Sequence, residues 1–513
     1  MKRRAFLGGA AASALLAWGA SAEAPPIAPK PRTRPPLPVL TATELAAAAD
    51  LTGVVAFIVV DLATGEVLEE ALPDLPLPPA SVAKIPTALY VLDTLGPEYR
   101  FETRVAAVGP RTGGVLNGDL ILQGGGDPEL DTADLNRLAE ELAARGLKQV
   151  SGRFLVDANL LPAIDRIDAD QPDDVQYNTS IGALNLNFNR VYVAWRREEG
   201  VYRTAAEARA DGLTVPTAQA RLEPAPRTET DRFDYALEGD VEVWRATRTR
   251  LDRSGEAFVP TRRPADYAAR TFRELARRSG LSLPSHEVGA APVVAEVLAR
   301  TQSRPVVDIV RAMMRYSTNM TAEALGLAAT RARGGAAFAL SDSAGAMNAW
   351  AAAYGRFPAG DGGMRLVNHS GLSIESRASV RRVVQLLAEA HERPLPQVDE
   401  SVQRPTVRLR SVLKKHSYSD RNAPNPKVDA EMRAKTGSLD FVNALAGYID
   451  VAPTPAAPSG RNFAFAFIAA DVERRRNAQT AGGDSPPGAE EFAAKARRLQ
   501  RAMARSWITR FGV

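Results

Sequence analysis

The sequence predicts an α/β protein built around one antiparallel sheet of five strands, with a helical subdomain and a large mixed α+β insert. Three observations lead to this prediction: two strand-like segments lie near the start of the chain, three lie near its end, and a long stretch separates them. With 513 residues, 45% hydrophobic and 24% charged, the chain is long enough for more than one domain.

The N-terminal elements follow from local pattern. Residues 42–49 read as a short helix. Residues 54–60 are apolar and β-branched, a turn follows at 61–65, and a second strand begins at residues 66–68. A proline-rich stretch at 73–79 then leads into a helix predicted over residues 82–95, because prolines are well tolerated just before a helix.

The C-terminal elements complete the sheet. Residues 432–438, 444–451 and 462–471 read as strands, and a basic helix runs from residue 490 to about residue 510. One side of that helix is apolar, which favours packing on the sheet over lying on a membrane surface. We expect the first and last helices to flank the sheet.

The first 22 residues read as an export signal. Basic residues precede an apolar stretch at 5–18, and Ala20-Ser21-Ala22 offers small residues for cleavage. Arg3-Arg4 followed by Ala5-Phe6-Leu7 favours the twin-arginine type over an ordinary secretory signal. Residues 23–40 are proline-rich and are predicted to form an extended tether.

Charge and composition exclude several classes of protein. Removing the signal lowers the formal charge from +4 to +1, so no electrostatic case for nucleic-acid binding remains. The chain has no cysteine and only four histidines, without HExxH spacing. We therefore expect no metal and no cofactor. No GxSxG sequence supports a Ser-His-Asp enzyme.

The first candidate motif is Ser81-Val82-Ala83-Lys84. On a helix, residues three apart share one face, so the hydroxyl and the amine would lie about one turn apart. A serine hydroxyl needs a neighbouring base, and a partly buried lysine near other cations can lose its proton and act as one. The motif is weak alone, since Ser411-Val412-Leu413-Lys414 repeats it.

Two further motifs follow. Ser317-Thr318-Asn319 comes after an amphipathic segment at 306–315 and can present a hydroxyl and an amide from a tight turn. Lys435-Thr436-Gly437 lies on the predicted strand that begins at Met432, where period 2 puts Lys435 and Gly437 on one face. Each of these also occurs as an ordinary turn or a surface lysine.

Together the three motifs, S-x-x-K, S-x-N and K-T-G in this order, are the signature of active-site serine penicillin-recognising enzymes. Ser411 follows S-x-N, so the order selects Ser81. Ser81 and Ser317 are 236 positions apart, which implies an insert of about 180 residues, enough for one or two domains.

The sequence resembles the class C penicillin-binding proteins of the penicillin-binding protein 4 type, which have such an insert. Further similar segments are YRFET at 99–103, GDLILQGGGDP at 118–128, NLNFN at 185–189 and SGLS at 370–373, although Asn368-His369 stands where Asp-Gly is commoner. The resemblance covers roughly residues 45–475 and implies a beta-lactamase/transpeptidase-like fold. It also implies a D-alanyl-D-alanine carboxypeptidase or endopeptidase. Together with the export signal at residues 1–22, this predicts an exported, periplasmic protein.

The resemblance also implies residue roles. Ser81 would be the nucleophile and Lys84 its general base. Ser317, helped by Lys84 or Lys435, would pass a proton to the leaving amine, and Asn319 would hold the substrate amide. Thr436, Gly437 and Ser438 would bind substrate, with the backbone N–H groups of Ser81 and Ser438 as the oxyanion hole. The implied partners are peptidoglycan peptides, with beta-lactams as covalent inhibitors.

The predicted organisation is a signal peptide at 1–22, a tether at 23–40, a catalytic domain in two parts at 41–105 and 297–513, and inserted accessory domains at 106–296. Two alternatives stay open: a serine beta-lactamase or esterase on the same fold, and a catalytically silent peptidoglycan-binding protein.

Overall fold

The computed structural model describes residues 39–210, 212–228, 232–292, 295–360, 362–394, 407–420, 425–481 and 486–512. The predicted signal peptide, its twin-arginine motif and the tether through residue 38 lie outside the described residues. Within these ranges, no helix is long and apolar enough to cross a membrane.

The N-terminal elements match the predicted order. Thr41 and Glu44 form a capping box that starts the first helix. In chain order the elements are α1 Ala42–Ala47, β1 Val54–Asp61, β2 Val67–Ala71, a 3₁₀ helix Ala80–Ala83 and α2 Lys84–Leu95. The helix predicted over 82–95 is thus two structures, because the chain tightens into a 3₁₀ turn around Ser81 and becomes α-helical only at Lys84.

The middle of the chain is mixed α and β, as predicted for the insert. Its elements are β3 Glu102–Val108, β4 Arg111–Thr112, β5 Val115–Leu116, β6 Asp119–Gln123, α3 Thr132–Ala144, β7 Gln149–Val150, β8 Phe154–Asp157, a 3₁₀ helix Leu186–Asn189, β9 Arg190–Glu198, β10 Val201–Ala210, β11 Leu213–Pro216, β12 Ala220–Ala225, β13 Asp234–Glu238, β14 Val241–Thr247, α4 Arg248–Leu251, β15 Ser254–Pro260, α5 Pro264–Arg278, β16 His286–Val288 and β17 Glu296–Gln302.

The remaining elements form the helical part and the end of the sheet. They are α6 Val306–Tyr316, α7 Asn319–Ala332, α8 Leu340–Tyr354, β18 Met364–Arg365, β19 Arg377–Ala378, α9 Val380–Glu392, α10 Leu409–Val412, β20 Lys414–His416, β21 Ala430–Leu439, β22 Val442–Val451, β23 Arg461–Ala470, α11 Val472–Ala481 and α12 Ala489–Phe511.

The central sheet joins both ends of the chain in the order β2-β1-β23-β22-β21-β20, and every neighbouring pair is antiparallel. Five of its strands are the predicted ones. The sixth, β20, was not predicted, because Lys414–His416 is short and charged and shows no alternation of apolar residues.

The two faces of this sheet build two separate cores. Along β1, Ala56 and Ile58 pack towards α2, α6 and α9, whereas Phe57 and Val59 pack towards α12. This is the period of two expected of a strand buried on both faces. The last helix packs as predicted: Trp507 lies against Phe57, and Phe492, Leu499 and Met503 are buried with it.

The insert has its own core and three larger sheets. A five-stranded sheet has the order β16-β8-β6-β3-β17, and the other two have the orders β11-β10-β9-β15 and β12-β14-β13. Strands β3 and β17, at the two ends of the insert, pair with each other antiparallel. Helices α3 and α5 pack among these sheets, with Leu138 and Phe272 fully buried in the shared core.

Candidate active site

Ser81 lies in the 3₁₀ turn that precedes α2. The preceding residue, Ala80, has a left-handed φ of 46°, a conformation that costs energy for any residue with a side chain. Pro86 falls in the first turn of α2, where its missing N–H removes no helical hydrogen bond. The turn holds Ser81 half-buried with its hydroxyl 3.0 Å from the Lys84 amine.

Lys84 is fully buried and has three oxygen neighbours. Its Nζ lies 2.8 Å from Oδ1 of Asn319 and 2.8 Å from the carbonyl oxygen of Ser370, besides the Ser81 hydroxyl. Burial lowers the pKa of Lys84 well below its usual range; the charge of Lys435 lowers it further, while that of Glu323 opposes both. The neutral form of the Lys84 amine is therefore available at a lower pH than for an ordinary lysine.

The oxygens of Asn319 and Ser370 fix the orientation of the neutral Lys84 amine. An amide or backbone oxygen can only accept, so Asn319 and Ser370 take the two N–H bonds of the neutral Lys84 amine. Its remaining lone pair then faces the hydroxyl of Ser81. This is the arrangement that a general base requires.

The second motif lies at the junction of α6 and α7. Ser317 ends α6 in a left-handed conformation, with φ 60° and ψ 33°, and Asn319 begins α7. The tight turn aims both side chains into one cleft, as predicted. Ser317 Oγ accepts a hydrogen bond from Lys435 Nζ at 3.0 Å, and Asn319 Nδ2 donates to the carbonyl of Tyr177 at 3.1 Å.

The third motif lies on β21. Lys435 and Gly437 are buried and Thr436 is exposed, so side chains alternate as predicted. Burial and the neighbouring cation Lys414 lower the pKa of Lys435 to about 8. Its amine also donates to the carbonyl of Thr436 at 2.6 Å.

Gly437 lets β21 approach the Ser81 turn closely. A Cβ on Gly437 would lie 3.0 Å from the backbone nitrogen of Ser81 and 2.7 Å from the carbonyl oxygen of Pro79. A glycine is therefore required for this approach. Ser438, the second expected oxyanion donor, follows directly and is exposed to the cleft.

Residues of the first two motifs, and Ser438 directly after the third, line a cleft of about 420 Å³. Its lining includes Ser81, Ser317, Asn319 and Ser438, together with residues from the insert and the C-terminal region: Gln171, Tyr177, Gly371, Leu372, Leu439, Asp440, Arg475, Ala489, Glu490 and Ala493. A larger cavity of about 650 Å³ lies between residues 158–163 and 335–338 and contains none of the motif residues. The smaller cleft is therefore the candidate site, because it is lined by motif residues and the larger cavity is not.

The second S-x-x-K sequence is placed differently. Ser411 lies in the short helix α10, where its hydroxyl donates to the carbonyl of Arg408 at 2.8 Å, and Lys414 begins β20. Neither residue lines the cleft. Chain order and geometry thus select the same serine.

Three groups in this site were not predicted from the sequence. The carbonyl of Ser370 and the carbonyl of Tyr177 act through the backbone, which carries no residue-type signal. Glu323 was also missed, although it lies four residues after Asn319, one helical turn along the same face of α7. Among the described residues no group of three or more acidic, histidine or cysteine side chains is arranged to hold a metal ion.

Comparisons with known proteins identify the family of this chain and several relatives. Residues 42–484 match the model of the D-Ala-D-Ala carboxypeptidase 3 (S13) family. A carboxypeptidase of Mycobacterium tuberculosis is 27% identical over 477 residues, 88% of each chain. A D-alanyl-D-alanine carboxypeptidase of Actinomadura is 29% identical over 462 residues, covering 84% of this chain and 82% of the relative.

Among solved structures, penicillin-binding protein 4 of Haemophilus influenzae has the same fold. It superposes with a TM-score of 0.68 at 19% identity, covering 91% of this chain and 98% of the other. A crystal structure of the same protein in complex with a beta-lactam superposes with a TM-score of 0.66. The predicted beta-lactamase/transpeptidase-like fold is confirmed.

Proposed function

The chain belongs to the D-Ala-D-Ala carboxypeptidase 3 (S13) family and is a serine peptidase of peptidoglycan, and from this premise we propose that Ser81 forms its acyl-enzyme. What supports the assignment is the Lys84 amine, whose two N–H bonds have acceptors in Asn319 and Ser370 while its lone pair faces Ser81 Oγ at 3.0 Å. A hydroxyl so placed is activated for attack on a carbonyl.

Acylation begins with attack by Ser81 and ends with cleavage of the C–N bond. Ser81 attacks the carbonyl of the penultimate D-Ala while Lys84 takes the hydroxyl proton. The oxygen of the tetrahedral intermediate accepts hydrogen bonds from the N–H groups of Ser81 and Ser438, each worth ~2.7–4 kcal/mol in comparable enzymes. The C–N bond then breaks.

The leaving amine needs a proton. Ser317 donates its hydroxyl proton to that nitrogen and is reprotonated either by Lys84 or by Lys435, whose amine lies 3.0 Å from its Oγ. If Lys84 is the source, it returns to the neutral amine that deacylation needs; if Lys435 is the source, Lys435 regains a proton from solvent and Lys84 releases one to solvent. Lys435 as a cation, with Thr436, binds the terminal carboxylate of the substrate, and Asn319 holds the substrate amide. Water hydrolyses the acyl-enzyme by the same base and releases the shortened peptide.

Beta-lactams bind the same cleft as covalent inhibitors, because their strained amide presents a carbonyl to Ser81 and their carboxylate to Lys435 and Thr436. A related fold has been crystallised with a beta-lactam, which supports this proposal. Slow release of the adduct is expected of a peptidase, whereas rapid release would indicate a beta-lactamase instead.

The insert at residues 106–296 forms one wall of the cleft in this proposal. Tyr177 and Gln171 line the cleft, and the Tyr177 carbonyl accepts a hydrogen bond from Asn319. In this proposal the wall determines whether a crosslinked second peptide can enter the cleft as well as a free pentapeptide end, and so whether the carboxypeptidase is also an endopeptidase.

Digestion of purified muropeptides tests the function. We expect loss of one D-Ala from pentapeptides by the wild-type enzyme, and cleavage of D-Ala-diaminopimelate crosslinks if the wall admits a second strand. Ser81→Ala should release neither product. Binding of the muropeptides without any release of D-Ala by the wild-type enzyme would instead indicate a catalytically silent protein.

We also propose that the enzyme is exported to the periplasm, where its substrate lies, on the basis of the N-terminal sequence. Replacing Arg3 and Arg4 with lysine should block export by a twin-arginine route. Unchanged export of the double variant would assign the ordinary secretory route.

A further inference from the structure

Glu323 is a buried carboxylate that the proposed reaction does not use. It lies on α7, four residues after Asn319, and its side chain is fully buried. A charge in the interior is expensive unless hydrogen bonds or an opposite charge compensate it. Its partners therefore indicate why the chain places it there.

The carboxylate binds two consecutive backbone N–H groups. Oε2 of Glu323 accepts from the amide of His369 at 2.9 Å, and Oε1 accepts from the amide of Ser370 at 2.8 Å. Burial raises the pKa of Glu323, and these two N–H groups, the Ser370 side chain and the charge of Lys84 oppose that rise. Both oxygens accept from backbone N–H groups, as the carboxylate anion does. Ser370 is thus held at its N–H by Glu323, while its carbonyl oxygen accepts from Lys84.

A second contact fixes the same loop on α7. The ring of His369 packs over Gly326, where a Cβ would come within 2.3 Å of it, and its Nε2 lies 2.8 Å from the hydroxyl of Ser343. Burial lowers the pKa of His369 to about 3, so this ring is neutral and adds no charge beside Lys84. The loop is clamped at two successive residues.

We propose that Glu323 is a positioning residue for acylation: it fixes the backbone of Ser370 so that this carbonyl, together with Asn319, orients the Lys84 amine toward Ser81. The inference rests on the proposed function, since it concerns the same base. It adds a residue outside the three motifs, acting through the backbone of Ser370.

The charge of Glu323 has a measurable consequence. The charged groups that act on Lys84 are Lys435 on β21 and Glu323 on α7, and the ring of His369, on the adjoining loop, is neutral. Glu323 raises the pKa of Lys84 against the effects of burial and Lys435. Removing the anion must therefore lower the pKa at which the base loses its proton.

The test is the pH dependence of penicillin acylation, followed by intact-protein mass spectrometry. In Glu323→Gln, the side chain keeps its shape but loses one acceptor and its charge. We expect the plateau rate to fall about tenfold or more, as for a reacting group displaced by a fraction of an ångström. The acid limb of the pH–rate profile, which reports the loss of the proton from Lys84, should move to lower pH by about one unit, because the negative charge that raised the pKa of Lys84 has been removed.

Two further variants separate position from charge. Glu323→Asp keeps the anion but withdraws it by one methylene, and Gly326→Ala pushes His369 and the loop away without touching any charge. Both should lower the plateau rate and leave the acid limb within a few tenths of a unit of the wild type, about the change expected when no charge is lost.

The matched control is Asp61→Asn. Asp61 is another buried carboxylate that accepts a backbone N–H, from Ala63, but it lies at the end of β1 where the strand leaves the sheet. We expect a lower thermal midpoint with unchanged plateau rate and acid limb. A purely structural role for Glu323 would make Glu323→Gln behave in the same way.

The outcomes separate this inference from the proposed function. Absence of an adduct on Ser81 in the wild-type enzyme overturns the proposed function. If the wild type is acylated but Glu323→Gln keeps its plateau rate and acid limb, only the role of Glu323 is wrong. If Glu323→Gln does not fold, wild-type plateau rates in Glu323→Asp and Gly326→Ala overturn the inference equally.

Discussion

Gly437→Ala tests whether β21 and the Ser81 turn form one site. The added Cβ would lie 2.7 Å from the carbonyl oxygen of Pro79 and 3.0 Å from both Ala80 Cβ and Ser81 N. Carbon atoms in ordinary contact are about 3.5–4.0 Å apart, so the strand and the turn must separate by about 0.5–1 Å. The oxyanion hole would widen by the same amount.

The expected loss of acylation rate is large, because the oxyanion hole depends on the distance between β21 and the Ser81 turn. A displacement of about 1 Å can cost ~100-fold in rate, and loss of one oxyanion donor costs ~2.7–4 kcal/mol. We therefore expect penicillin acylation of Gly437→Ala to be about 100-fold slower. Overpacking should also lower the free energy of unfolding by ~1–3 kcal/mol.

The assay is the rate of adduct formation by intact-protein mass spectrometry, beside thermal unfolding of the same samples. Gly345→Ala in α8 is the control, since it is the same chemical change at an exposed position with no atom within 4 Å. It should leave acylation unchanged and stabilise the helix by up to ~1 kcal/mol. Folded Gly437→Ala that is acylated within threefold of the wild-type rate would refute the reasoning, taking about threefold as the smallest resolvable loss.

Three further predictions concern the neighbouring residues. Ser411→Ala should form the penicillin adduct at the wild-type rate, because its hydroxyl bonds to Arg408 outside the cleft; a lost adduct in mass spectrometry would show that the wrong S-x-x-K was chosen. Lys435 is a cation below pH about 8, so KM for a D-Ala-D-Ala peptide should rise as the pH increases through that value. Lys414→Ala removes a neighbouring cation and should move that rise to higher pH, and an unshifted KM profile would contradict the assignment of Lys435 to carboxylate binding. Asn319→Ala deletes one acceptor for the Lys84 amine and should slow acylation about tenfold or more, since leaving a buried donor without its partner costs ~1–3 kcal/mol; a stopped-flow acylation rate equal to that of the wild type would argue against its role.

The central sheet could be predicted because its strands are buried on both faces. Val54–Asp61 and Arg461–Ala470 are apolar nearly throughout, and such segments have few alternatives once turns bound them. Lys414–His416 was not predictable, because its pairing with β21 is set by the backbone and its side chains are charged. A strand with no burial pattern leaves no signal in the sequence.

The site could be predicted as far as side chains define it. Ser81, Lys84, Ser317, Asn319 and Lys435 lie within hydrogen-bonding reach of one another, in two groups. Their order along the chain was enough to select them, since each type of residue is needed for one chemical step.

The sequence could not reveal two features of the site: the backbone conformation of the Ser81 turn, and the cleft residues that lie far from the motifs along the chain. The Ser81 turn is 3₁₀ rather than α-helical, Ala80 within it takes a left-handed conformation, and β21 approaches it closely at Gly437. Tyr177 and Glu490 reach the cleft from the insert and from α12, about 140 and 170 positions from Asn319. Such contacts depend on tertiary packing that no local pattern encodes.

The most direct test of the central claim is to map the penicillin adduct. After incubation with penicillin and proteolysis, the mass of one penicillin should lie on the peptide that contains Ser81, and Ser81→Ala should remain unmodified under the same conditions. An adduct on any other residue, or an adduct of equal yield on Ser81→Ala, would contradict the account.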